Sequence, residues 1–62
     1  STGAQAAAMA FYRRAIELDP DFAMAHAKLG AACFNLGMPC GAAELTRAFE
    51  LRDRLNEREQ FT

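Results

Sequence analysis

Three side chains in this 62-residue chain carry the chemistry to hold a metal or attack a substrate: His26, Cys33 and Cys40. His26 and Cys33 stand seven residues apart, which places both on one face of a helix, and Cys40 falls just beyond a turn signal. Zinc asks for four ligands, usually in tight Cys-x2–4-Cys or His-x3–5-His pairs, and the chain has neither. A helix N-terminus near Cys40 would favour its thiolate, yet no catalytic partner accompanies it. Helix geometry also disfavours a Cys33–Cys40 disulfide. The spacing therefore reads as packing, with Cys33 buried and His26 a core or groove residue. Acidic pairs such as Glu57 and Glu59 read as a solvated face, and Glu50 with Arg54 has simple i,i+4 spacing. Gly30, Gly37 and Gly41 serve turns and packing, with no phosphate-cradling loop. Neither catalysis nor a bound cofactor or metal is expected.

Helices must position these residues. A first helix is predicted from about Ala4 to Leu18, with an apolar stripe of Ala8, Phe11, Tyr12, Ala15, Ile16 and Leu18, and Asp19-Pro20 stops it. Asp21 is placed to cap a second helix from about Phe22 to Leu36, whose inward face is Ala25, His26, Leu29, Gly30, Cys33 and Phe34. Gly37 suits a left-handed stop, and Pro39 suits the first position of a third helix. That helix carries Ala42, Leu45, Ala48 and Phe49 and ends between Leu51 and Leu55, or else runs on unbroken. Asn56 through Glu59 has the spacing of a capping box, which would open a fourth helix.

Composition narrows the function classes. Seven Lys and Arg against eight Asp and Glu leave a net charge of −1, without the basic stripe that a phosphate backbone requires. No apolar run approaches the ~20 residues that span a bilayer. Two cysteines are too few for a disulfide scaffold. The expectation is a soluble, cytoplasmic fragment that touches neither nucleic acid nor membrane.

The chain also repeats itself. Gly3 and Ala8 recur as Gly37 and Ala42, 34 residues on, whereas Arg14-Ala15-Ile16-Glu17-Leu18 recurs as Arg47-Ala48-Phe49-Glu50-Leu51 after 33. A period in this range marks stacked helical hairpins that bury their apolar faces on their neighbours. Leu29-Gly30, Gly37, Ala42, Ala8, Tyr12, Ala15 and Pro20 match the pattern of the tetratricopeptide repeat, which the chain resembles over nearly its whole length. His26 and Cys33 stand where that pattern has Trp and Tyr. The resemblance implies an all-α fold of antiparallel helical hairpins in a superhelix, with about three helices and the start of a fourth. Residues 1–20 would be the second helix of one repeat, 21–54 a full repeat, and 55–62 the start of a following helix. Gly30 and Ala42 would be small where the helices of one hairpin meet. The missing residue is expected at Met38-Pro39, and Thr46 and Arg54 replace an aromatic and a proline of the pattern.

Function follows from the same resemblance. Repeats of this kind implies a non-catalytic protein–protein interaction module, whose groove is lined by the first helix of each hairpin. Here the groove residues would be Met24, Ala27, Lys28, Ala31, Phe34 and Asn35, with Met24 and Phe34 as an adaptable apolar platform. Lys28 and Asn35 would hold a peptide carboxylate or backbone. Family members that clamp chaperone C-termini carry Lys and Asn at the places of Ala27 and Ala31, so that clamp is not expected. The stretch Ala48 to Arg54, with the following Asn-Glu-Arg-Glu, resembles repeat regions of large bacterial signalling proteins attached to kinase or transcription-regulator modules. Two other readings stand beside the groove: a structural oligomerisation element of such a protein, and a small thiol redox or metal-binding protein. Exposed repeat ends also predict self-association.

Overall fold

The structure, a computed structural model, describes residues 2–56. Three helices follow one another: α1 (Thr2–Leu18), α2 (Ala23–Asn35) and α3 (Cys40–Glu50), and a 3-10 segment spans Arg52–Asn56. No strand occurs among the described residues. α2 packs against both α1 and α3, forming two successive hairpins with α2 in common.

The stop after α1 works as the sequence implies. Pro20 cannot donate to the helix, and the chain turns with Phe22 N–H donating to Asp19 C=O at 3.0 Å and Asp21 N–H to Asp19 Oδ1 at 3.2 Å. Asp21 does not cap α2, however. Phe22 is the N-cap residue and supplies no side-chain capping bond, while the Asp21 carboxylate accepts from Arg47 Nη2 at 3.1 Å. The competing cation on α3 wins over the free amides of the first turn.

α2 ends in a complete Schellman motif. Gly37 sits at φ +68°, Met38 N–H donates to Cys33 C=O at 2.9 Å, and Gly37 N–H donates to Phe34 C=O at 3.0 Å. Pro39 is the residue just before α3, which opens at Cys40. The α-helical ladder of α3 stops at Glu50, earlier than expected, and the chain tightens into the 3-10 segment. Leu51 N–H is shared between the carbonyls of Arg47 and Ala48 at 3.1 and 3.2 Å. Asn56 closes that segment, and the remainder of its capping box, with the expected fourth helix, lies outside the described residues.

The core is small: Met9 from α1 with Leu29 and Cys33 from α2, flanked by Tyr12, Ile16, Ala32, Leu36 and Cys40. The inward stripe of α1 is thus Met9, Tyr12 and Ile16, at helical spacing. Phe11 and Leu18, expected to face inward, are exposed. They lie one and two positions off that stripe, a rotation of ~100° per residue. Phe34 is likewise exposed, unlike the rest of the predicted inner face of α2, which is buried.

Glycines set the spacing between α2 and α3. A Cβ at Gly30 would lie 2.7 Å from Leu45 Cγ and 3.0 Å from the Leu45 amide nitrogen. A Cβ at Gly41 would lie 3.1 Å from the Phe34 amide nitrogen and 3.2 Å from its Cα. Gly30 therefore does what its place in the motif predicts. Ala42 does not, because it is exposed and Gly41 occupies the contact in its stead. Gly41 stands 33 residues after Ala8, so the residue lost from the second copy is missing before Gly41, at the Met38-Pro39 turn. In that register Leu45, not Thr46, corresponds to Tyr12, and the apparent loss of an aromatic at Thr46 is a matter of alignment.

Gly30→Ala should lower stability by about 1–3 kcal/mol, since overpacking outweighs the ~1 kcal/mol gained in helix propensity. Gly3→Ala, whose Cβ meets nothing within 4 Å, should change stability by no more than ~0.5 kcal/mol or raise it slightly. Thermal unfolding of both variants checks this, and equal losses would refute the close approach.

Candidate functional site

His26 is buried and has both ring nitrogens engaged. Nε2 is 2.7 Å from the Pro20 carbonyl oxygen, which can only accept, so Nε2 carries a hydrogen. Nδ1 is 2.6 Å from Glu44 Oε1 on α3. One side chain on α2 thus ties the α1–α2 turn to α3. Arg47 adds a second tie from α3 to the same turn through Asp21 and also reaches Glu50 at 3.4 Å. Arg47 is exposed, so its pairs contribute ~1 kcal/mol or less. His26 is consequently a satisfied core residue, and its ring is spent on packing helices.

Cys33 and Cys40 are bonded to each other, with Cα atoms 5.6 Å apart. This corrects the expectation of unpaired cysteines. Helix geometry separates residues seven apart only while the helix continues, and here the chain reverses at Gly37 and brings α3 back against α2 at glycine distance. The bond closes a short loop, which is worth on the order of 2 kcal/mol in the chain-entropy account. Neither thiol is available as a ligand, and no group of three or more His, Cys, Asp or Glu among the described residues is arranged to hold a metal.

The groove residues named from the sequence lie together on the other side of α2. Met24, Lys28, Ala31, Phe34 and Asn35 are exposed and Ala27 is half-buried, whereas Ala25, His26, Leu29, Gly30 and Cys33 are buried. Positions 24, 28, 31 and 35 run along the outer surface at i,i+4,i+7 spacing, with 27 and 34 beside them. Phe34 is 72% exposed and Met24 46%, a large apolar presence on a helix this short. Ala27 and Ala31 are the small residues of that set that lie in sequence between them. Lys28 makes no ion pair with any described residue.

Sequence reasoning missed Glu44 and the disulfide. Nothing local marks Glu44; only its position on α3 opposite His26 does, and that needs the 33-residue register to be known first.

Residues 1–37 match the family model described as TPR repeat, a stretch that covers α1, the Pro20 turn, α2 and its Gly37 stop. No curated protein and no solved structure matches the chain. No helix among the described residues is long and apolar enough to cross a membrane.

His26→Ala should cost about 2–4 kcal/mol, because it removes a buried ring and strands the Glu44 carboxylate and the Pro20 carbonyl. Lys28→Ala, on the outer surface, should stay within ~0.5 kcal/mol. A double-mutant cycle with Glu44→Ala should return a coupling of roughly 1–3 kcal/mol. Additive losses in denaturant unfolding would show that the two side chains do not act together.

Proposed function

The chain belongs to the tetratricopeptide repeat family, and we propose from that premise that it is a non-catalytic protein-interaction module whose α2 surface receives a peptide or helix of a partner protein. In this reading residues 1–20 complete one repeat, residues 21–54 form a full one, and 55–62 begin the next. The observation that carries it is the exposed Phe34 and Met24 beside the small residues Ala27 and Ala31. Two large apolar side chains left exposed on a helix whose opposite face is already buried favour a docking role for that face. Lys28 and Asn35 supply charge and hydrogen bonding to a peptide carboxylate or backbone. Ala27 and Ala31 speak against the two-residue carboxylate clamp, so apolar side chains of the partner carry most of the affinity.

The resemblance of Ala48 to Arg54 to repeat regions of bacterial signalling proteins supports a parent of that kind and a cytoplasmic setting.

Panning a displayed peptide library against the chain tests the groove. Selected peptides should lose about tenfold or more in affinity to Phe34→Ser and to Lys28→Glu, and little to Arg13→Ala on α1. Peptides that bind all three variants equally would place the docking surface elsewhere.

A second reading, oligomerisation, is favoured by α3. Leu45 and Phe49 are 41% and 65% exposed, yet they stand 33 residues after Tyr12 and Ile16, which pack on α2. The corresponding place on α3 lacks its covering helix among the described residues, and a copy of the chain can supply one. Sedimentation across concentrations should then show reversible association, abolished by Leu45→Glu with Phe49→Glu. A monomer at every concentration would remove this reading and leave the groove.

A further inference from the structure

The Cys33–Cys40 bond offers an attacking thiolate two routes, and the fold obstructs both. In thiol–disulfide exchange the thiolate attacks one sulfur and expels the other as a thiolate. Cys40, half-buried at the start of α3, is the less buried residue of the two. Attack there expels Cys33 as a thiolate into its buried contact with Met9 and Leu29, where water cannot stabilise the charge. Attack on Cys33 Sγ expels Cys40 at the N-terminus of an 11-residue helix, a much better place for negative charge. Cys33, however, is 0% exposed. The good leaving group thus lies behind the inaccessible sulfur.

Cys33 is covered from α1 as well as by its own hairpin neighbours Leu29, Ala32, Leu36 and Cys40. Met9 packs in one buried cluster with Cys33 and Leu29, and Tyr12 and Ile16 lie against that cluster. The hairpin contacts that hold α2 to α3 are separate: Gly30 on Leu45, Gly41 on Phe34, and His26 on Glu44. None of these three contacts uses a residue of α1.

We propose that α1 gates a redox clasp: docked, it protects the Cys33–Cys40 bond from dithiols, and undocked, it opens the route through Cys33 Sγ. In the open form a dithiol thiolate attacks Cys33 Sγ, and a mixed disulfide forms there as Cys40 leaves as a thiolate and takes a proton from water. The second thiolate of the same dithiol then attacks its own sulfur of the mixed disulfide. Cys33 leaves and is protonated, and the dithiol departs as a cyclic disulfide. Two electrons and two protons pass from dithiol to protein. The redox state of the α2–α3 turn therefore reports whether the preceding helix is in place. This inference does not depend on the peptide-binding reading of the outer face.

The test is the rate at which dithiothreitol reduces the full chain, followed by alkylation and mass counting of thiols, with circular dichroism recorded alongside. Folded wild type should be reduced about tenfold or more slowly than the same chain in denaturing guanidinium. Met9→Ala should be reduced about tenfold faster than folded wild type, and the exposed-site variant Arg13→Ala within about twofold of it. Equal rates for folded and denatured wild type overturn the proposal, as does a folded Met9→Ala no faster than wild type. If Met9→Ala loses its helical signal, the milder Ile16→Val takes its place with an expected acceleration of about threefold. An unchanged rate in that folded variant overturns the gate equally.

Discussion

The close approach of α2 and α3 is the constraint from which the other contacts follow. It is imposed from both sides, because Gly30 of α2 faces Leu45 and Gly41 of α3 faces the backbone of Phe34. With two side chains absent the helices meet nearly backbone to backbone, and everything that links them becomes reachable at that distance. Glu44 meets His26, Arg47 meets Asp21, and Cys40 meets Cys33. A core whose largest buried side chains among the described residues are Met9, Leu29 and Cys33, with Ala23, Ala25 and Ala48 beside them, buries too little apolar surface to hold helices by burial alone. These directional links between α2, α3 and the Pro20 turn make up for that shortfall.

Much of this architecture was legible in the residues themselves. The Asp19-Pro20 stop, the Gly37 left-handed stop and the small residue at Gly30 each have a local cause, so each could be read without knowing what lay opposite. The inner face of α2 was legible for the same reason, since its period is carried by the helix that bears it. The outer stripe from Met24 to Asn35 followed as its complement.

What escaped the sequence depended on register between helices. Two offsets, 34 and 33, compete in the repeat, and the choice decides which residue of α3 faces α2. Taking the glycine offset puts Ala42 in the contact; the structure uses the other and puts Gly41 there. Glu44, one turn further on, and the proximity of Cys40 to Cys33 are consequences of the same one-residue choice. The face of α1 failed differently. Phe11 and Leu18 are more apolar than Met9 is conspicuous, and an aromatic outranks a methionine in any count of hydrophobic residues. Yet the unbranched Met9 fills the irregular space beside Cys33 while Phe11 stays outside, in edge contact with Tyr12 at 5.7 Å between ring centroids.

The division of α2 into two faces bears directly on how its outer surface can work. Binding costs less when the receiving surface is already ordered, because fewer rotamers and backbone angles are lost on association. α2 is held at its start by His26 on the Pro20 carbonyl, at its middle by Gly30 against α3, and at its end by the Schellman turn and the Cys33–Cys40 bond. None of these fixtures uses Met24, Lys28, Ala31 or Asn35, and Phe34 contributes its backbone and Cβ while its ring stays exposed. Apart from Phe34, the residues that fix the helix are not those of its exposed face. The outer side chains are then free to vary with the partner, a separation that lets one repeat scaffold present different surfaces without altering what holds it together.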